Sequence, residues 1–269
     1  MGLTARLAPV LTVTGTTLLV GCNGGGYGGS CGSYGSYGSY GSYGSCGPLY
    51  PGPDGIYEGS LTNATSPQGA SVVAIIAENG VGRIAGSDGS YYRLNVGSSG
   101  NNLNGSYSGY PQVAALSSGA STVPAQGSVG GTITANGLNL QLIDSTNAEQ
   151  SLALTFDNVY NRSSALTNLA GSWTSTTNGL TLTATIQTDG SFSAIDSNNC
   201  TYNGSFSLLD PTFDVYAETH VRSCNGATAT FNGLAALLLN KSTTGSASGS
   251  ELELLTDNNS GDYLVADFQ

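Results

Sequence analysis

The sequence predicts an all-β protein: two small antiparallel lobes, meander barrels or sandwiches of about eight strands each, behind a flexible N-terminal tether. Three observations predict it. From Gly55 onward the chain is a succession of short alternating runs rich in Val, Ile, Thr and Tyr. Turn pairs such as Asn79-Gly80 and Asp189-Gly190 separate neighbouring runs. No long segment repeats its apolar residues at helical spacing, so almost no helix is expected.

The runs include SVVAIIAE (71–78), SYYRLNVG (90–97), GGTITANGLNLQLI (130–143) and SLALTF (151–156). Further on come LTLTATIQ (180–187), SFSAI (191–195), FDVYAETHV (213–221), ELELL (251–255) and DYLVADF (262–268). Aligning Asn79-Gly80 with Asp189-Gly190 gives an offset of 189 − 79 = 110. At that offset Ala74 meets Ala184, Ile76 meets Ile186, Tyr92 meets Tyr202 and Val96 meets Phe206. With gaps, Gly55-Ile-Tyr57 matches Gly171-Ser-Trp173, and Asn136-Gly-Leu138 matches Asn232-Gly-Leu234. Two lobes follow, 49–166 and 167–269. A meander this long must close or cover its edges, or it would pair with its neighbours. One 16-stranded membrane barrel is the alternative, but runs such as SYYRLNV offer no continuous lipid-facing row.

Composition narrows the function class. Only 9% of the 269 residues are charged, against about 25% in a typical soluble domain. Glycine supplies 40 residues, and the formal charge is −11. The basic residues, Arg6, Arg83, Arg93, Arg162, Arg222 and Lys241, are scattered. No basic patch can be built from them, which argues against nucleic-acid binding. With 39% hydrophobic residues, the chain can bury a core.

The first residues, MGLTARLAPVLTVTGTTLLVGC, read as a signal peptide. Arg6 supplies a positive start, and Leu7 to Val20 is apolar but short of the roughly 20 residues a membrane helix needs. The segment ends Leu19-Val20-Gly21-Cys22, which resembles the lipobox of bacterial lipoproteins. The resemblance implies cleavage before Cys22 and acylation of that cysteine, making it the membrane anchor. Asn23, rather than Asp, follows the cysteine, which points to the outer membrane. Removing residues 1–21 takes away Arg6 and leaves 5 basic against 17 acidic side chains, a charge of −12.

Residues 23–48 are almost wholly Gly, Ser, Tyr and Cys, a composition that forms a flexible linker. Its 26 steps would reach roughly 85 Å fully stretched and roughly 28 Å as a coil. The outline of acylated cysteine, Gly-rich tether and small eight-stranded barrels is similar to surface lipoproteins of the transferrin-binding-protein type. That likeness is architectural and carries no ligand motif.

Five cysteines minus Cys22 leave four. In an oxidising envelope the simplest pairing is Cys31–Cys46 and Cys200–Cys224. Zinc would need close Cys-x-x-Cys spacing and histidines, and the chain has no such pair and only His220.

The most pointed stretch is CTYNGSFSLLDPTFDVYAETHVRSC (200–224). With Cys200 opposite Cys224, residue numbers across the hairpin sum to 424. Tyr202 then faces Arg222, Gly204 faces His220 and Phe206 faces Glu218. Glu218, His220 and Arg222 share one face, because side chains alternate along a strand. Two placements are open. The trio points into a barrel as a polar ligand site with Tyr202, or it forms a solvated row while Phe213, Val215, Ala217, Thr219 and Val221 face in.

Other chemistry is thinly supported. A serine triad needs a histidine base, His220 is the sole candidate, and no G-x-S-x-G elbow occurs. A carboxylate pair for glycan hydrolysis has 17 acidic residues to draw on. Asp257-Asn-Asn-Ser-Gly-Asp262 reads as a calcium loop or a polar hairpin turn. Trp173 reads as a core or lobe-interface anchor, or as a carbohydrate platform. No catalytic residue, metal site or cofactor is assigned. The expectation is a non-catalytic, lipid-anchored envelope protein that binds an envelope protein, a glycan or a small ligand, or serves structurally. An envelope hydrolase acting on glycans through carboxylates is the alternative. A Cys22→Ala variant is expected to leave the detergent phase on partitioning; persistence there would sink the lipid assignment.

Overall fold

The computed structural model describes residues 52–63, 69–110, 124–177, 179–239 and 250–269. Cys22, Cys31, Cys46, the signal-peptide stretch and the tether lie outside the described residues. The described chain is two eight-stranded antiparallel meanders, each closed or nearly closed into a barrel.

The first barrel comprises β1 (Gly55–Asn63), β2 (Ala70–Ile76), β3 (Val81–Gly86), β4 (Tyr91–Ser99), β5 (Asn102–Tyr110), β6 (Ala125–Thr134), β7 (Gly137–Asp144) and β8 (Glu149–Asp157). Each strand pairs with the next, and β8 returns to β1 with Tyr57 opposite Phe156 and Leu61 opposite Leu152. Two short 3-10 turns, Asn158–Asn161 and Leu166–Asn168, lead into the second barrel. Its strands are β9 (Gly171–Thr177), β10 (Leu180–Ile186), β11 (Ser191–Asp196), β12 (Thr201–Leu208), β13 (Tyr216–Cys224), β14 (Ala227–Leu239), β15 (Ser250–Asp257) and β16 (Tyr263–Phe268). The outer strands β9 and β16 meet where Thr174 and Gln269 exchange backbone hydrogen bonds of 3.1 and 3.0 Å.

Alternation along each strand sends one set of side chains inward. On β4, Tyr92, Leu94 and Val96 enter the barrel while Asn95 faces solvent. The first interior is packed with apolar and aromatic side chains, among them Tyr57, Ile84, Leu140 and Leu152. The second is filled by Trp173, Leu182, Tyr202, Phe206, Leu254 and Phe268, among others. Trp173 is thus a core residue, and its indole N–H donates to Leu169 O at 2.7 Å.

The offset of 110 holds in three dimensions. Strands β2, β3 and β4 begin at 70, 81 and 91, and β10, β11 and β12 at 180, 191 and 201. Gly80 and Gly190 adopt φ of +79° and +85°, where a β-carbon is strained. A β-carbon on Gly80 would also sit 2.0 Å from Val96 O, and one on Gly190 would sit 2.7 Å from Phe206 O. In return the Gly80 carbonyl accepts from Val96 N–H, and the Gly190 carbonyl from Phe206 N–H, both at 2.9 Å. Tyr57 and Trp173 also correspond, each pointing inward near the start of its barrel. The pairing of Asn136 with Asn232 does not carry over. Asn136 lies in the β6–β7 turn, whereas Asn232 is inside β14.

The two barrels pack into one compact unit. A third apolar cluster, including Ile56, Ile75, Tyr91, Leu234, Leu255 and Tyr263, lies on the outward faces of β1–β4 and β14–β16. Tyr263 stacks on Tyr91 at 4.9 Å, and its hydroxyl donates to Gly89 O at 2.5 Å. Inside this contact Asp257 is 1% exposed. Arg83 lies 3.2 Å and Arg93 3.4 Å from its carboxylate, and the Tyr91 hydroxyl donates to it at 3.1 Å. A second pair, Arg162 with Asp214, links the inter-barrel segment to the second barrel, and Arg162 also donates to Leu237 O.

Stripping one partner from a buried ion pair leaves an uncompensated charge. Asp257→Ala, which strands Arg83 between the barrels, is expected to lower unfolding free energy by about 3–5 kcal/mol. Urea denaturation of the full chain measures it, and an unchanged midpoint would contradict the role assigned to the pair.

Candidate functional site

The hairpin expected at 200–224 forms in the register read from the sequence. Tyr202 pairs with Arg222, Gly204 with His220, Phe206 with Glu218 and Leu208 with Tyr216. Cys200 and Cys224 form a disulfide with their Cα atoms 4.4 Å apart. It closes a hairpin of 24 residues separation, worth about 3 kcal/mol in the chain-entropy model.

Of the two placements open from sequence, the inward one is found. Glu218, His220 and Tyr202 are 2%, 1% and 1% exposed. Thr219 and Val221 face out, and Val221 is 40% exposed, so the row 213–221 does not line the barrel. Val215 is buried, but in the contact between barrels. Arg222 is half-buried at the barrel end, with Nη2 3.8 Å from Cys200 Sγ. The Tyr202 hydroxyl donates to Asp196 at 2.8 Å. Burial first, and then that bond to a carboxylate, hold the hydroxyl well above its ordinary range.

Glu218 and His220 form a closed pair. Glu218 Oε1 lies 2.7 Å from His220 Nδ1. The imidazole stacks on Phe231 at 4.8 Å and sits near Tyr202 and Phe192. Two glycines make room for it. Gly204 is opposite His220 and Gly233 is opposite Glu218. A β-carbon on Gly204 would come within 2.6 Å of His220 Cβ. Glu218 Oε2 and His220 Nε2 have no hydrogen-bond partner among the described residues. The cavity beside His220 has a volume of about 10 Å³ and is otherwise lined by Phe192, Phe206, Leu254, Phe268 and other apolar or aromatic groups. That is room for about one water molecule. Residues 218, 220 and 202 therefore come together, in a space too small for an organic ligand.

A second arrangement lies outside the barrels. A groove of about 780 Å³ runs between them, and Glu58, Ser71, Ser90, Glu251, Glu253 and Asp267 are among its lining. The strand ELELL explains two of these residues. Leu252 and Leu254 fill the second barrel, so Glu251 and Glu253 share the opposite face. Pairing of β15 with β16 sets Asp267 directly opposite Glu253. Oxygens of Glu251, Glu253 and Asp267 all lie within 4.8 Å of one another. Glu253 is 3% exposed. Burial, then the hydrogen bond and charge of Asp267, then the charge of Glu251 hold its carboxyl well above the usual 4.5. Glu251 is raised by burial, Asp267 and Glu58. No Lys or Arg among the described residues lines the groove.

This cluster is absent from the sequence reading, which took both segments only as strands. The available signal was Glu-x-Glu in a run whose other residues are Leu, since period two places both acids on one face. The stretch Asp257–Asp262, a calcium loop or a turn from sequence, is a turn. Asp257 is committed to Arg83, Arg93 and Tyr91. Asn258 Oδ1 accepts from the backbone of Ser260 and Asp262, and Asn258 Nδ2 donates to the Asp262 carboxylate.

No family model, curated protein or solved structure matches the chain.

Glu253 links stability to pH. Its folded value lies above the ordinary one, so the folded state holds a proton that the unfolded chain releases. Its contribution is present in acid and is lost as the pH rises from about 4.5 through the raised folded value. Glu253→Gln is expected to flatten this fall and raise the melting temperature at neutral pH. Thermal unfolding of both proteins across pH measures it; parallel curves would contradict the assignment.

Proposed function

We propose that the chain is a non-catalytic, lipid-anchored protein of the bacterial cell envelope, held at the outer membrane through Cys22, whose paired barrels act as a rigid binding or structural body. The observation that supports this reading best is the filling of both barrels. A ligand-carrying barrel keeps an open lumen, whereas these interiors hold packed side chains and a cavity of about 10 Å³. Binding then belongs on the outside. The groove between the barrels, about 780 Å³, is a concave surface of sufficient size. Its partner is an envelope protein, a glycan or a small ligand, and its carboxylates favour one that carries positive charge.

One observation favours a second reading, an envelope hydrolase acting on glycans. Glu253 holds its proton beside other carboxylates, which is the arrangement of a general acid and its partner. Binding and turnover separate the two. The full chain is expected to retain a component of envelope extracts or of a glycan panel that the Glu251→Lys/Asp267→Lys variant does not retain. Equal retention by both proteins would move the binding face elsewhere. Release of sugar reducing ends that stops in Glu253→Gln would favour the hydrolase.

A further inference from the structure

We infer that the Cys200–Cys224 disulfide is a site of thiol exchange, in which an external thiolate attacks Cys224 Sγ and Cys200 leaves as a thiolate held by Arg222. This goes beyond the function proposed above and does not depend on it.

Arg222 itself carries the argument. Arg83 and Arg93 are paired with Asp257, and Arg162 with Asp214. Among the described residues Arg222 has no carboxylate at ion-pair distance. Its Nη2 lies instead 3.8 Å from Cys200 Sγ, and its buried Nε has no hydrogen-bond partner among the described residues. The carboxylate that meets Tyr202, Asp196, is committed elsewhere. One oxygen accepts from the Tyr202 hydroxyl at 2.8 Å, and the other from the N–H groups of Asn198 and Cys200, both at 2.9 Å. The Tyr202 phenol beside Arg222 stays protonated, held above its ordinary range by burial and by Asp196. A cation drawn away from water normally meets an anion. In the oxidised protein Arg222 meets a neutral sulfur. Reduction turns that sulfur into the missing anion.

The two sulfurs are not equivalent. Cys200 is 0% exposed, whereas Cys224 is half-buried. Cys224 leads into the turn Asn225-Gly226, whose residues are both exposed. A β-carbon on Gly226 would meet nothing within 4 Å, so open space lies beside this turn. A thiolate arriving from solvent therefore meets Cys224. The rate of its attack depends on how well the departing sulfur carries negative charge. Burial alone disfavours a Cys200 thiolate, and the adjacent guanidinium offsets that cost. Without the cation, the attack would create a buried, unpaired charge.

The electrons balance through one mixed disulfide. The attacking sulfur bonds to Cys224 Sγ, and the electron pair of the broken bond stays on Cys200 Sγ. A second external thiolate then attacks the sulfur of the first. Cys224 departs as a thiolate and takes a proton from water. Two thiols are thereby oxidised to a disulfide, and the protein gains two electrons. In reverse, the Cys200 thiolate resolves a mixed disulfide on Cys224 and closes the hairpin.

The test uses the full chain under native conditions with limiting mercaptoethanol, a thiol that carries no charge besides its thiolate. Free thiols are then blocked with N-ethylmaleimide, and peptide mapping reads each cysteine. The mercaptoethanol adduct is expected on Cys224 and the blocking group on Cys200, in roughly tenfold excess over the reverse arrangement. Arg222→Gln removes the charge and should slow exchange roughly tenfold, while Arg222→Lys should keep the native rate within about threefold. An adduct on Cys200, equal adducts on both, or exchange only as fast as global unfolding would overturn the inference. So would a folded Arg222→Gln protein that exchanges like the native chain. Where that variant does not fold, the position of the adduct in the native chain decides.

Discussion

Closure of each meander on itself is the constraint on which everything else in this protein depends. An open eight-stranded sheet presents two rows of unpaired backbone groups. Here β8 returns to β1, and Thr174 and Gln269 join the ends of the second sheet. Closure divides every strand into an inner and an outer face. The inner face must then be filled with side chains of the right volume, because eight strands enclose only enough space for packed residues. The tyrosines, leucines and small alanines of the two interiors do this.

The same constraint explains the polar exceptions. Glu218 and His220 alternate with outward residues on β13, so closure buries them whether or not the interior suits charge. The structure accommodates them with two neighbouring glycines, a mutual hydrogen bond and an aromatic stack. At the contact between barrels, strands are covered on both faces. There Leu234 to Leu238 of β14 are apolar and buried without a break, and Asp257 is buried with Arg83. A pair of this kind adds little net stability over an apolar substitute, but it is costly to break. It acts as a register, permitting one relative placement of the two barrels in which Tyr91, Arg83 and Arg93 all converge on one carboxylate.

Much of this was legible from local pattern. Alternation and Asn-Gly or Asp-Gly turns marked the strands, since side-chain period and positive φ are local properties. The sum of 424 across the hairpin followed from two cysteines alone, because a disulfide between facing strands sets the register of every pair between them. The offset of 110 was visible because the barrel interiors repeat the same sizes at the same positions. Which face of β13 turned inward was not legible. Phe213 to Val221 is as apolar on its odd positions as a core strand, and only the curvature of the closed sheet puts Val221 in solvent and His220 inside.

The sequence by itself determined the strands, their order, the hairpin register and the near-absence of helix, because each depends on neighbours within a few residues. Tertiary structure alone decided which residues meet across distance. Glu58 and Glu253 are separated by almost the whole folded chain, and Asp257 lies far in sequence from Arg83. They converge because the two barrels pack against each other, and only then does a row of ordinary strand acids become a shared groove. The physical reason is that burial and charge coupling depend on separation in space, which no local spacing encodes.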